Sequence, residues 1–285
     1  MPDSSQPPLR NISDTARWVA TYRARETERD DALFRDPYAR RLAGDQGEEI
    51  ARAHAYAEQH SWPMVMRTYL FDELIAEEIA AGTDLIVNLA AGLDARPYRL
   101  TLPAALRWVE IDLPGIIAYK EQVLAGESLR CRLQRIPLDL LDVAARRAEF
   151  ARVCRGATRA MVLTEGLLIY LTADEVASLA RDLAGAGFQR WITDLASPAL
   201  LDLMQREMSE LVTQAGAPYQ FAPADGPNFF RGCGWQPKDV RSTFRAAAQV
   251  HRLPSDLQAF AGYPDPPEPW KAPIPLSATV RLARD

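Results

Sequence analysis

Two carboxylates and one small-residue turn carry the chemistry most legible in this chain. Residues 90–92 read Ala-Ala-Gly and Asp94 follows at once. Asp112 lies about 20 residues beyond the glycine, closing an apolar run, LRWVEIDL, that also holds Glu110. A turn without side-chain bulk lets a ligand approach the backbone, and a carboxylate at that spacing is placed to grip a ribose diol. Charge then separates two cofactor classes. Ala90-x-Gly92-x-x-Ala95 shadows the dinucleotide pattern, but a pyrophosphate at the helix start would face Asp94, like charge against like. A nucleoside bearing ammonium and sulfonium groups, as S-adenosylmethionine does, tolerates that carboxylate. The residues favour such a cofactor over a nicotinamide dinucleotide. The plainer reading makes Asp94 only a cap and Asp112 only a strand end.

Positioning these groups takes a strand, a turn and a helix start. Residues 84–89 carry four apolar side chains without alternation, which predicts a strand buried on both faces. Asp94 can cap a helix from Ala95, with Pro97 in its first turn. Strand and helix then alternate: strands over 106–111, 133–138, 160–170 and 189–195, helices over 113–124 and 144–154, and a helix capped by Thr172 with Glu175 three residues on. The pattern predicts an α/β fold, a Rossmann-like doubly wound sheet, mostly parallel and seven-stranded. Before it, residues 1–82 form a helical N-terminal cover, with helices over 48–59 and 61–81. The cofactor-binding core spans 83–195. Residues 196–234 hold a helix over 200–214 and a loop rich in Pro, Gly and aromatics, read as a substrate lid or a plain surface insertion. Residues 235–285 return to the core, with a helix over 237–248, strands over 249–253 and 278–283, and a proline-stiffened connection between them.

Composition excludes several classes. A net charge of −5 without basic blocks gives no footprint for nucleic acid, and no apolar run reaches the length of a membrane span. Residues 1–10 lack the regions of a signal peptide, and three widely spaced cysteines fit a reducing cytosol better than a disulfide framework. His54 and His60 have no carboxylate at ligand spacing, so no metal site is expected.

The segments NLAAGLDARPYRL, WVEIDLPGIIAYK, IPLDLLD and LTEGLLIYLTADEV, in that order, resemble the leucine carboxyl methyltransferase family, which includes bacterial polyketide O-methyltransferases. The likeness extends upstream to TARWVATYRARETERDDALFRDPYARRLAG and covers about residues 14–200. It implies a class I S-adenosylmethionine-dependent methyltransferase and a set of cofactor contacts. Asp112 would hold the ribose hydroxyls, while Asp139 and Leu140 would address adenine. Ala90 and Gly92 would admit the ligand to the backbone. Glu165 would sit near the methionine amine, Arg67 would pair with the methionine carboxylate, and Arg23 would assist. Ala90 departs from the family pattern, where glycine is common.

Methyl transfer from a sulfonium is an in-line displacement that asks mainly for alignment and exclusion of water. A carboxylate acceptor, with a pKa of about 4, needs no base at neutral pH, whereas a phenol at about 10 profits from one. Scarce histidine and the lack of a metal constellation tilt toward a carboxylate on a small molecule. His54 or His60 could serve as base for a phenol. The same residues would also suit methylation of a protein C-terminus, or a catalytically silent cofactor-binding subunit.

Overall fold

The computed structural model describes residues 12–53, 61–214, 216 and 218–284. Seven strands form one sheet: β1 (Leu85–Leu89), β2 (Arg107–Asp112), β3 (Arg132–Pro137), β4 (Ala160–Thr164), β5 (Arg190–Ala196), β6 (Gln236–Ser242) and β7 (Ser277–Ala283). Their order is β3-β2-β1-β4-β5-β7-β6. The pairings among the first five are parallel, and β7 runs antiparallel between β5 and β6. The sheet is thus mostly parallel, as the alternation predicts. Strand order reverses between β1 and β4, which opens a crevice beyond their C-terminal ends.

β1 is buried along its whole length because helices cover both faces. Leu85, Val87 and Leu89 pack with Phe150 and Val153 of α6 (Val143–Cys154) and with Leu179 and Leu183 of α7 (Ala173–Ala186). Ile86 points the other way, to Phe71, Leu74 and Ile75 of α3 (Trp62–Ala80). α1 (Ile12–Thr27) and α2 (Ala39–Ala53) lie in front of the strand ends, with Trp18, Tyr22 and Ile50 in a cluster with Val65. Gly47 permits their close approach, since a Cβ there would stand 2.6 Å from the Thr21 hydroxyl. No described helix is long and apolar enough to cross a membrane.

Four local expectations change. The helix after β1, α4 (Arg96–Arg99), is a single turn. The fourth strand stops at Thr164, because Gly166 takes a φ of 68° and sends the chain into a 3-10 turn at Leu168–Tyr170. The helix over 237–248 is instead strand β6 followed by α9 (Thr243–Gln249), capped by Ser242. Pro237 is compatible with β6 because that strand is an edge, and the register shifts between Pro237 and Asp239. The strand over 249–253 is absent; His251 has a φ of 56° and turns the chain. Of the helix over 48–59, residues 54–60 lie outside the described residues, and with them His54 and His60.

α5 (Pro114–Val123) follows β2, and α8 (Pro198–Gln214) follows β5. Beyond α8 the chain returns to the core: Phe221, Phe230 and Trp235 pack under the sheet with Trp191.

Candidate active site

The turn after β1 is bent at two points. Ala90 and Gly92 both have a φ of 50°. Gly92 takes this conformation freely, and a Cβ on it would press on Ala16 of α1 at 3.3 Å. Ala90 takes it at a cost of about 1–2 kcal/mol, so the alanine that stands for the usual glycine keeps the bend at some strain. Gly92 donates its N–H to Asp112 Oδ2 at 2.6 Å, and Leu113 donates to Oδ1 at 2.7 Å. Burial pushes the Asp112 carboxyl above its ordinary value, against the pull of those two donors. Its neighbour Glu110 is closed off by Lys120 and Arg135, each at 2.8 Å. At the end of β3, Asp139 accepts from the Leu141 N–H at 2.9 Å, in a turn that presents Leu138 to Leu141 to the crevice.

A chain of arginines and carboxylates continues from there. Arg67 of α3 donates to Glu165 and to Asp194, both at 3.3 Å. Glu165 also accepts from Arg96 at 2.7 Å, and Arg96 bonds Asp94 at 3.0 Å and Asp72 at 2.6 Å. Arg99 shares Asp72, while Arg23 bonds Asp36 at 3.0 Å and donates to the carbonyl of Leu93 at 2.6 Å. Arg23 therefore braces the turn after β1 from the helical cover. Burial opposes ionisation of Asp94, yet the charges of Arg96, Lys120 and Arg99 hold its carboxyl down to about 2. Burial lifts the Asp194 carboxyl despite Arg67. Gly166 suits this point because its φ of 68° favours glycine, and a Cβ there would also stand 3.0 Å from the Arg67 guanidinium.

All eight residues expected from the sequence, Arg23, Arg67, Ala90, Gly92, Asp112, Asp139, Leu140 and Glu165, line one cavity of about 1240 Å³. That exceeds the roughly 300–1000 Å³ of a site for one drug-sized ligand, so it has room for two reactants. The pattern of leucine carboxyl methyltransferases matches residues 16–184. The chain belongs to the leucine carboxyl methyltransferase family. A relative named as an S-adenosyl-L-methionine-dependent methyltransferase, from Parafrankia sp. (strain EAN1pec), is 32% identical over 275 residues, 88% of this chain and 85% of its own. A protein of the same description from Saccharopolyspora erythraea is 38% identical over 203 residues, 65% of this chain and 68% of its own. Among solved structures, a methyltransferase from Thermobifida fusca superposes with a TM-score of 0.61 at 14% identity, over 99% of this chain and 97% of that one, which shows the fold.

This methyltransferase uses S-adenosylmethionine, and the cavity has the donor set that the cofactor asks for. Asp112 can accept from hydroxyl donors, the carboxylates Glu165 and Asp94 suit an ammonium, and the Arg67 guanidinium suits a carboxylate. Three contributors were not picked out from the sequence: Arg96, Asp194 and Asn88, which donates to Asp94 at 2.8 Å. One signal could have found Asp194. Carboxylates end or follow β1, β2, β3 and β4 as Asp94, Asp112, Asp139 and Glu165, and Asp194 continues that series on β5. Among the described residues no histidine lines the cavity, and no cluster of His, Cys, Asp and Glu could hold a metal ion.

Proposed function

We propose that this methyltransferase methylates a carboxylate oxygen of a small molecule, such as a polyketide or another secondary metabolite. The observation that carries the reading is a pair of phenol donors on the cavity wall. Tyr170 and Tyr219 both line it with their rings 5.4 Å apart, and Arg67 lines the same cavity. Burial pushes both phenols above their ordinary value, so at neutral pH they donate hydrogen bonds and do not act as bases. An ionised carboxylate needs donors and no base; a phenol needs the reverse.

S-adenosylmethionine supplies the methyl group when bound. Asp112, Asp139 and Leu140 would hold its nucleoside, and Arg67 and Glu165 its amino-acid end, with Arg23 bracing the turn at Leu93. Residues 196–234 would act as a lid. Tyr219, Gln220 and Phe221 line the cavity, and the N–H groups of Gln220 and Phe221 donate to the Ile169 carbonyl at 2.7 and 3.2 Å. The cytosol is the proposed compartment, where Cys131, Cys154 and Cys233 stay as free thiols.

Asp194 supports a second reading. A half-buried carboxylate of raised pKa on the cavity wall could serve as base for a phenol. Single-turnover rates across about pH 5–9 separate the two. With a carboxylate acceptor the rate stays flat through neutrality, and Asp194→Asn, His54→Gln and His60→Gln leave its shape unchanged. A rising limb that vanishes in one of these variants would replace the carboxylate with a phenol.

A further inference from the structure

The outer wall of the cavity lies beyond residue 184, outside the span of the family match. α8 contributes Leu200, Leu203 and Met204 to it. The stretch 254–276 contributes Leu257, Phe260, Tyr263 and Ile274. Among the described residues between 196 and 279, the charged ones lining the cavity are Arg245 and Asp265, and they are bonded to each other at 2.9 Å. Arg245 also donates to the carbonyls of Ala261 (2.8 Å) and Tyr263, which ties it to the wall it belongs to. Pro264, Pro266 and Pro275 line the same wall and have no N–H to offer. At the mouth, Phe260 and Tyr263 are 51% and 63% exposed, their rings edge to face at 5.8 Å.

We infer that the acceptor is a monoacid with an uncharged, apolar alkyl or aryl body, and that this body lies along the 254–276 wall from Tyr170 and Tyr219 out to the Phe260–Tyr263 rim. The inference rests on the methyl-transfer reading of the inner cavity and adds the acceptor's class. A second charge on the acceptor would be desolvated against a wall whose one ion pair is already closed. A peptide in the same place would need partners for its own N–H and C=O groups, and the prolines remove N–H donors from the wall. An apolar body meets neither obstacle and removes the exposed rings from water.

The test is calorimetry on the full chain with S-adenosylhomocysteine present, using straight-chain and phenyl-substituted monocarboxylic acids from about four to about twelve carbons. Affinity should rise about threefold to fourfold per methylene until the chain passes the rim. A second carboxylate at the far end should cancel at least about tenfold of that gain. The double variant Phe260→Ser/Tyr263→Ser should lower the ratio of long-acid to short-acid affinity at least about fivefold. Affinity independent of length, or diacids or carboxyl-terminal peptides binding as well as the long monoacids, would overturn the inference. A long-to-short ratio unchanged in the double variant would overturn the path to the rim. Because binding is read without turnover, acids that bind with the expected length dependence yet gain no methyl group would support the apolar wall and refute carboxylate methylation.

Discussion

Replacing Asp112 with alanine probes the cofactor half at its most constrained point. One carboxylate oxygen accepts from Gly92 at 2.6 Å and the other from Leu113 at 2.7 Å, so the side chain is fixed before any ligand arrives. Hydroxyl donors of a ribose would meet the remaining lone pairs. Deleting a charged acceptor of this kind costs about 1.5–3 kcal/mol, which raises the S-adenosylmethionine Kd by about 10- to 150-fold. The ligand-free protein should lose less than two hydrogen bonds to a carboxylate would suggest. Burial raises the Asp112 pKa, which means that the buried charge is itself unfavourable, and its removal offsets part of the loss. Asparagine would be no milder, because its amide N–H₂ would face one of the two backbone donors. Titration calorimetry, with melting measured in parallel, decides the matter. A folded variant that binds the cofactor within about threefold of the parent would refute the ribose assignment. A collapse in melting temperature without ligand would show that Asp112 serves the turn instead.

Arg67→Ala should weaken S-adenosylmethionine at least about tenfold while leaving adenosine within about twofold, because adenosine has no carboxylate to pair. Equal losses for both ligands would assign Arg67 to the Glu165–Asp194 framework alone. The second perturbation is pH. Asp94 ionises at about 2 in the fold against an ordinary 3.8. A depressed folded pKa gives stability that is present above the unfolded value and lost as pH falls through the folded one, here at most about 2.5 kcal/mol between pH 4 and 2. Asp112 and Asp194, raised by burial, act in the opposite sense: their contribution is fullest in acid and fades as pH climbs through their folded values. The diagnostic quantity is therefore the difference between parent and Asp94→Asn. Urea melts should show a shallower acid limb in the variant, and identical limbs would refute the ionic role of Asp94.

Much of the fold was legible in residue order because its signals are local. The unalternating run at 84–89 demanded cover on both faces, and α3 and α7 supply it. The Thr172–Glu175 capping box starts α7 as its spacing requires. The turn at 90–92 and the acids at 94, 112 and 139 were legible for the same reason: each sits at a strand end, and strand ends can be read from hydrophobic runs. Where tertiary context competed with propensity, the sequence reading failed. Residues 237–242 look helical alone, but pairing along the open edge of β7 draws them into a strand. Arg96 carries no local signal that sets it apart from the other arginines. Only the approach of α3 and the β4 exit brings Asp72, Asp94 and Glu165 around it and makes its burial tolerable. Asp194 is 127 residues from Arg67 along the chain and 3.3 Å away in space. The sequence by itself determined the strands, the turn and the cofactor class, because their physics lies within a few residues. Only the tertiary structure decided which charges meet and what lines the outer cavity, because those energies depend on side chains that the chain brings together from far apart.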